Sequence, residues 1–600
     1  MPFSASLANV RLLPGPVRTR HERNTRYLLE LEPDRLLHTF RRQAGLPSSA
    51  EPLGGWEAPA CGLRGHFVGH YLSACAQAYA STGDSRLRER LELILRELAE
   101  CQQPNGYLSA FPETDLAAME TTLAGAWAPY YTLHKILVGL LDAHEWGDNG
   151  AALTMAKELA DYVGWRLDRL TPKQLERMCR TDLGPNPGNE VGGIGEGLRR
   201  LGRTVGEARY ESLAQLFDRE WFLAPLLRRE DRLTGLHCNA HIPMALALAR
   251  RCESNGDPAL RDAVIWFWER TALARSYVNG GSSGPHPDGT EKSKGAEHWP
   301  EPFRLAHTLT PKINESCVTH NMVRLTDALF CWTGEPRYAA FHERAYLNHV
   351  LTMQHPNQVG AYLYDHPLGP DSRKAYGSPR ASFWCCYGTT VEAYARLAAG
   401  IYYQSSDTAW VNLFIASEFT WPERGVQITQ ETGFPDQPGT RLTIHCSQPT
   451  RFTLRLRVPA WTEAPAISVN GDRVAVPPGD YVAIEREWQN GDILALVFGL
   501  RLSAEAMPDD SEMVAFRAGP LVLAAVTGGD LLLPQSNITA ALAAIQCPTP
   551  DHYQTVLADG RTVPLIPLHR ITTETFGVYF RLRAPQRTEQ RKKKRVEPAV

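Results

Sequence analysis

The stretch His66-Phe-Val-Gly-His-Tyr-Leu-Ser-Ala-Cys-Ala-Gln-Ala-Tyr-Ala-Ser-Thr-Gly-Asp84 carries the periodicity on which the fold turns. Phe67, Tyr71, Cys75 and Tyr79 recur at every fourth position and so share one face of a helix. Gly83 supplies the left-handed C-cap that ends that helix, and Asp84 caps or charges the start of the next. A second stripe follows at once, through Leu91, Ile94, Leu95 and Leu98, and a third runs through Leu133, Ile136, Leu137, Leu140 and Leu141. The same glycine-acid joint returns at Gly147-Asp148, Gly206-Glu207, Gly256-Asp257 and Gly334-Glu335, each time between two helical patterns. The intervals between the joints, 64, 59, 50 and 78 residues, make a repeated α-hairpin. Such hairpins stack into an open solenoid or close into a ring. Irregular intervals, many aromatics and long connections favour closure, an (α/α)6 barrel with its loops gathered over one end. The longest connection, Val278 to Ile313, contains Gly280-Gly-Ser-Ser-Gly284, Pro285, Pro287, Gly289 and Gly295 and has no period. A connection of that length inside a compact domain is more often functional than idle.

After Tyr403 the period changes to that of strands: Val411–Ile415, Val426–Thr429, Leu442–Ile444, Phe452–Val458, Ile467–Val469, Val482–Ile484 and Ile493–Phe498. Asn470-Gly471 is a hairpin signal. The expected organisation is multidomain, α and β. Residues 1–405 form an (α/α)6 barrel with an N-terminal extension, 406–505 a β-sandwich, 506–585 a second β-rich portion, and 586–600 a solvated basic tail around Arg591-Lys-Lys-Lys-Arg595. A chain of 600 residues is too long for one ordinary core. A net charge of -3 leaves no footprint for nucleic acid or an anionic membrane surface. No apolar run is long enough to span a bilayer. The segment Met1-Pro-Phe-Ser-Ala-Ser has no basic stretch leading an apolar one, so a cytoplasmic location is expected. The 12 cysteines follow no disulfide spacing, which leaves thiol and metal chemistry open to them.

Chemistry concentrates in a few places. In Ser382-Phe-Trp-Cys-Cys-Tyr-Gly-Thr-Thr390, followed by Glu392, a Thr with a Glu three residues on forms a capping box. Cys385 and Cys386 would then lie at a helix mouth, where a thiolate is favoured over a thiol. The long loop ends in Asn314-Glu-Ser-Cys317, and with Asn314 as N-cap, Glu315 and Cys317 fall in a first helical turn. Two such mouths together offer four ligands to one tetrahedral zinc, although neither spacing is the usual Cys-x-x-Cys knuckle and small buried hydrophobes are the alternative. Within Gly295-Ala-Glu-His-Trp299, an aromatic beside Glu297 would raise its pKa by desolvation, which suits a general acid; a solvated surface glutamate is the alternative. Trp127, Tyr130, Tyr131, Trp299, Tyr364 and Trp384 are candidates for stacking walls around a sugar ring or for core. His134 and the pair His237 and His241 suit hydrogen bonding of a polar ligand, or a satisfied core position.

Taken together, Gly69-His-Tyr-Leu-Ser-Ala, Asn105-Gly-Tyr-Leu-Ser-Ala, Trp127-Ala-Pro-Tyr-Tyr-Thr-Leu-His-Lys-Ile-Leu, Asn314-Glu-Ser-Cys and Phe383-Trp-Cys-Cys-Tyr-Gly-Thr resemble the β-L-arabinofuranosidase family, glycoside hydrolase family 127, and its relative family 146. The resemblance runs from about residue 60 to 405. It implies a Zn2+ held by Glu315, Cys317, Cys385 and Cys386, with Cys385 as nucleophile and Glu297 as acid/base, although Glu301 lies close by. It also implies sugar contacts from His134, His241, Glu343, Tyr364 and Trp299. The implied activity is exo-acting, retaining release of β-L-arabinofuranose from an arabinofuranose-containing oligosaccharide or glycoconjugate, with a homo-oligomer left open. A related barrel glycosidase for another pentofuranose or deoxy sugar, and a non-catalytic zinc-stabilised carbohydrate-binding protein, are the alternatives.

Overall fold

The computed structural model describes residues 1–183, 189–287, 297–476, 481–549 and 552–583; the expected basic tail lies outside them. Six helices form an inner ring: His66–Thr82, Pro129–Glu145, Gly192–Val205, Cys238–Asn255, Ser316–Thr333 and Cys385–Ala395. Each packs on the next and the last returns to the first, so the ring is closed. Ser85–Cys101, Gly150–Leu167, Ala208–Gln215, Pro258–Trp268 and Pro336–Asn348 each pack outside the inner helix they follow, and Pro16–Glu30, from the start of the chain, covers the sixth. This is the (α/α)6 barrel.

Sequence separates the two rings. The inner helix His66–Thr82 is buried nearly all round, whereas Ser85–Cys101 buries Leu87, Leu91, Ile94, Leu95 and Leu98 and turns Arg88, Glu92 and Arg96 to solvent. The first two inner helices cross in backbone contact. A Cβ at Gly69 would lie 2.2 Å from the Lys135 carbonyl, and one at Gly139 would lie 2.5 Å from the Gly69 carbonyl oxygen, so neither position admits a side chain. The joints behave as read at Gly83, Gly206, Gly256 and Gly334, all left-handed with φ of 67 to 72°. Asp84 and Asp257 cap the next helices through their side chains. The remaining joint is shifted: Asp148 takes the left-handed conformation, and Asn149 caps the helix by accepting from the Ala152 N–H at 3.0 Å.

Behind the barrel, a five-stranded and a seven-stranded sheet share a core that includes Ile428, Leu442, Leu454, Trp488 and Leu494. Two strands from the chain start join them: Phe3–Ser4 pairs with Tyr402–Gln404, and Val10–Leu12 with Ser417–Trp421. Each is the outermost strand of its sheet and covers one edge of the strand it pairs with. Asn470 and Gly471 both have positive φ, as a type I′ hairpin requires. Strands between Leu502 and Arg581 build a further antiparallel assembly. Among the described residues, no helix is long and apolar enough to cross a membrane.

Candidate active site

Two neighbouring inner helices point their N-termini at the same space. One begins at Ser316 with Glu315 as its N-cap, the other at Cys385 with Trp384 as its N-cap. Both start points differ from the sequence reading. Asn314 takes a left-handed φ of 59° and precedes the cap. Thr389 and Glu392 lie inside their helix and form no capping box; the Thr389 hydroxyl bonds back to the carbonyls of Cys385 and Cys386 and donates to Cys317 Sγ at 3.2 Å. The cysteines nevertheless occupy first turns, as expected.

One ligand atom from each of Glu315, Cys317, Cys385 and Cys386 lies within 4.8 Å of all the others, and the four residues are buried. Cys317 Sγ and Cys386 Sγ are 3.1 Å apart, far beyond the roughly 2.05 Å of a disulfide. The Cys385 and Cys386 thiols sit 3.3 and 3.4 Å from Glu315 Oε1, while Glu315 Oε2 is buried without a partner. Burial pushes the Glu315 carboxyl well up, and the charges of Cys317 and Glu297 push it further. Burial likewise raises Cys385 and Cys386. Burial also opposes ionisation of Cys317, but donors from Cys385, Cys386 and Thr389 outweigh it and hold that thiol well below its ordinary range. Only the Cys317 thiol is shifted towards its ionised form, and the other three acids are shifted towards their neutral forms. An orphaned carboxylate oxygen and three sulfurs converging in a dry pocket fit a thiophilic dication such as zinc, which would let the remaining groups ionise.

Beside this cluster stands a different arrangement. Tyr364 links the two: its carbonyl accepts the Ser316 N–H at 3.1 Å, and its hydroxyl donates to Glu297 Oε1. Glu297 Oε2 meets His237 Nε2 at 3.2 Å. Burial alone would raise Glu297, but the hydrogen bond and charge of His237, with the Tyr364 hydroxyl, pull it down to about 2. Burial would lower His237, yet Glu297 and then Glu190 raise it to about 9. The expected upward shift of Glu297 is therefore reversed, because a cation faces it where only an aromatic was foreseen. Glu301 is exposed, in a turn closed by Arg304.

The other sequence candidates separate. His134 is buried against Gly193, within reach of the Tyr131 ring edge. His241 is fully buried with both nitrogens engaged, on the His237 carbonyl at 2.6 Å and the Thr181 hydroxyl at 3.1 Å, so it buttresses His237. Trp299 is core: its ring is fully buried, edge-on to Phe267, with the indole N–H towards Ser282. Glu343 is not brought to the cluster, because both its oxygens are taken, by Arg457 and by the Trp461 indole N–H, at the seam between barrel and sheets. Tyr130 is core as well, bonded to Glu120. Trp127, Tyr364 and Trp384 do form a rim, joined through Trp56, whose ring lies 4.9 Å from Trp127 and 6.1 Å from Tyr364.

Trp56 was missed because Gly54-Gly-Trp-Glu57 has no period. It is carried to the site by close docking: a Cβ at Gly55, whose φ is 58°, would fall 1.8 Å from the Ser382 carbonyl oxygen. Also missed is the layer beneath the cysteines, where Glu392 meets His70 and, at 3.7 Å, His320. Burial opposes charge on Glu392, but His70, His320 and Lys135 hold it ionised. Glu190 is raised by burial and by the charges of Glu297 and Cys317, which places it in the field of both halves of the site.

A closed (α/α)6 ring gathers a carboxylate and three thiols at one mouth, beside a second carboxylate on a loop, and the family match makes it the barrel of a glycoside hydrolase. Family comparison makes this specific. The catalytic-domain description "Beta-L-arabinofuranosidase, GH127 catalytic domain" matches residues 9–399, and the GH127 middle-domain description matches 408–500. The chain belongs to the β-L-arabinofuranosidase family, GH127. Its fold is similar to that of a GH127 β-L-arabinofuranosidase from Geobacillus stearothermophilus T6, at 19% identity over 96% of this chain and 100% of that one, with a TM-score of 0.74. A structure described as a GH127 β-arabinofuranosidase gives 18% identity over 97% and 98% of the two chains, also at 0.74. These likenesses establish the fold. No curated protein matches the sequence.

Proposed function

We propose that the chain is a retaining, exo-acting hydrolase that releases β-L-arabinofuranose from the non-reducing ends of an oligosaccharide or glycoconjugate. Cys385 is its nucleophile, Glu297 its acid/base, and Glu315, Cys317, Cys385 and Cys386 hold a zinc ion. The observation that carries this reading is the convergence of those four residues beside the Glu297–His237 pair. When bound, zinc supplies the charge that keeps the sulfurs ionised near neutral pH. Cys385 is the least enclosed of the three thiols, 5% exposed against 0% for the others, and so is the sulfur available to substrate.

In the first displacement, Cys385 Sγ forms a bond to the anomeric carbon while the bond from that carbon to the leaving oxygen breaks. The bonding electron pair goes to that oxygen, which takes the one proton held by the Glu297–His237 pair. In the second, water attacks the anomeric carbon and gives a proton to Glu297 as the C–S bond breaks and the sulfur leaves as thiolate. Two inversions give net retention. Tyr364 fixes the Glu297 carboxylate, and the Trp56–Trp127 rim offers apolar faces to a sugar.

The test is turnover of an aryl β-L-arabinofuranoside, alongside other aryl pentofuranosides and deoxy sugars, by wild type, Cys385→Ser and Glu297→Gln. Wild type alone should turn over the first substrate, and metal analysis should find about one zinc per chain. Preference for another sugar would overturn the specificity. Binding without turnover of any substrate would leave a zinc-stabilised binding protein.

A further inference from the structure

A chain of three side chains, Glu392, His70 and Tyr131, ends at the cysteine cluster. Glu392 meets His70 Nδ1, and His70 Nε2 meets the Tyr131 hydroxyl at 3.3 Å. The three stand on consecutive helices of the inner ring, Cys385–Ala395, His66–Thr82 and Pro129–Glu145, so ring closure fixes their order. Tyr131 packs in one cluster with Cys317, Cys385 and Cys386, and like Cys385 it keeps 5% of its surface exposed. Burial, and then the charges of Cys385, Cys317 and Glu190, push the Tyr131 hydroxyl well up, so it stays protonated in the field of the nucleophile.

The direction of the hydrogen bonds follows from the far end of the chain. Burial and the charge of Lys135 lower His70 to about 3, while His70, His320 and Lys135 overcome burial and hold Glu392 ionised. An ionised carboxylate can only accept, so the neutral imidazole places its single N–H on Nδ1 and leaves a lone pair on Nε2. The Tyr131 O–H donates to that lone pair. Its proton is thereby committed to His70, and the oxygen has only acceptor capacity left for anything bound beside Cys385. We propose that Tyr131 is a specificity-determining residue of the sugar site, its oxygen accepting a hydrogen bond from one hydroxyl of the arabinofuranose, with His70 and Glu392 as the positioning residues that fix this direction. The inference rests on the activity proposed above.

The test compares kcat/KM of wild type and Tyr131→Phe on an aryl β-L-arabinofuranoside and on its 2-, 3- and 5-deoxy analogues. The ratio of wild type to variant should be about tenfold on the parent sugar, the size of one hydrogen bond, and close to unity on one deoxy analogue. It should also be close to unity when fluorine replaces that same hydroxyl, because fluorine accepts but cannot donate, and the ratio cancels fluorine's own effect on the chemistry. A tenfold ratio that persists on all three deoxy analogues assigns the hydroxyl to the sulfur or the fold, and a ratio retained on the fluoro sugar makes Tyr131 a donor; either result overturns the proposal. Glu392→Gln, whose amide can donate to Nδ1 and move the imidazole N–H to Nε2, should improve the fluoro sugar relative to the parent, which a purely structural residue would not do. It keeps the proposal falsifiable should Tyr131→Phe fail to fold, and an unchanged preference in it overturns the positioning role. No turnover of any arabinofuranoside by wild type would instead sink the proposed activity, and this inference with it.

Discussion

Glu315, fully buried, and Glu297, about one-fifth exposed, lie in the same barrel mouth and are driven in opposite directions. Glu315 is surrounded by thiols and is pushed well above the ordinary carboxylate range. Glu297 faces His237 and Tyr364 and falls to about 2. Burial penalises charge at both, so the difference lies in what stands opposite. The pair around Glu297 is internally neutral and carries one transferable proton. The cluster around Glu315 is four acids with no cation in contact, an arrangement that becomes stable in the ionised form only when a positive ion joins it. One half of the site is complete as folded, and the other gathers four ligand atoms that could hold a metal ion.

The sharpest way to break this comparison is at the sulfur. Cys385→Ser should lower kcat by at least about a thousandfold, because a hydroxyl lacks the thiol's accessible ionised form. Cys317→Ser should also lose the metal, measured as zinc per chain. If Cys385→Ser kept substantial turnover with metal in place, the cluster would be structural only. Chelation comes next: it should lower Tm as well as activity in wild type, since metal binding is coupled to folding. Glu297→Gln should leave zinc content near wild type while lowering Tm, through loss of the pair with His237, and cutting kcat/KM by about a hundredfold or more. Its loss should be smallest for aryl substrates whose leaving group needs no proton. Metal loss in Glu297→Gln would mean that the two halves are not independent.

The proton on the pair sets a milder effect. His237 is raised to about 9 and Glu297 lowered to about 2, so the pair holds one proton across the neutral range. The folded pKa of His237 lies above its unfolded value near 6.5, so its contribution to stability is complete below that value and is lost as pH rises through about 9. Glu297 contributes fully above about 4.5, and that contribution is lost as pH falls through about 2. The kcat/KM profile should therefore be flat through neutrality and fall as pH passes about 9. In His237→Gln the alkaline limb should move towards acid, with roughly a tenfold loss at pH 7. An unmoved limb would assign it to another group.

How much of this was legible beforehand depends on the range of the signal. The barrel was, because hairpin joints such as Gly83-Asp84 and Gly256-Asp257 are local, and capping acts within a few residues. The four-residue cluster was half legible: Cys385-Cys386 and Glu315 with Cys317 each announce a helix mouth, but their meeting is a fact of ring closure, with Glu315 and Cys385 70 residues apart in sequence. The shift of Glu297 was misread for the same reason, since the aromatic neighbour is local and His237 is 60 residues away. Trp56 carries no pattern at all and Glu392 reads only as the acid of a capping box; packing alone places them in the site.

Glu343 is the control that the comparison needs, a third carboxylate, itself buried, with its cation already fixed. The resemblance makes it a sugar contact; the structure spends both its oxygens on Arg457 and Trp461, with Arg457 and Glu343 side chains only 2% and 4% exposed. Neutralising it as Glu343→Gln leaves the Arg457 guanidinium buried beside an amide, a change that costs about 3–5 kcal/mol when a buried pair is broken from one side. Tm should fall while KM for the aryl arabinofuranoside stays within about twofold, because the lost interaction ties barrel to sheets and touches no substrate. The reverse pattern, an unchanged Tm with a tenfold higher KM, would put Glu343 back in the sugar site and show that the seam opens when substrate binds.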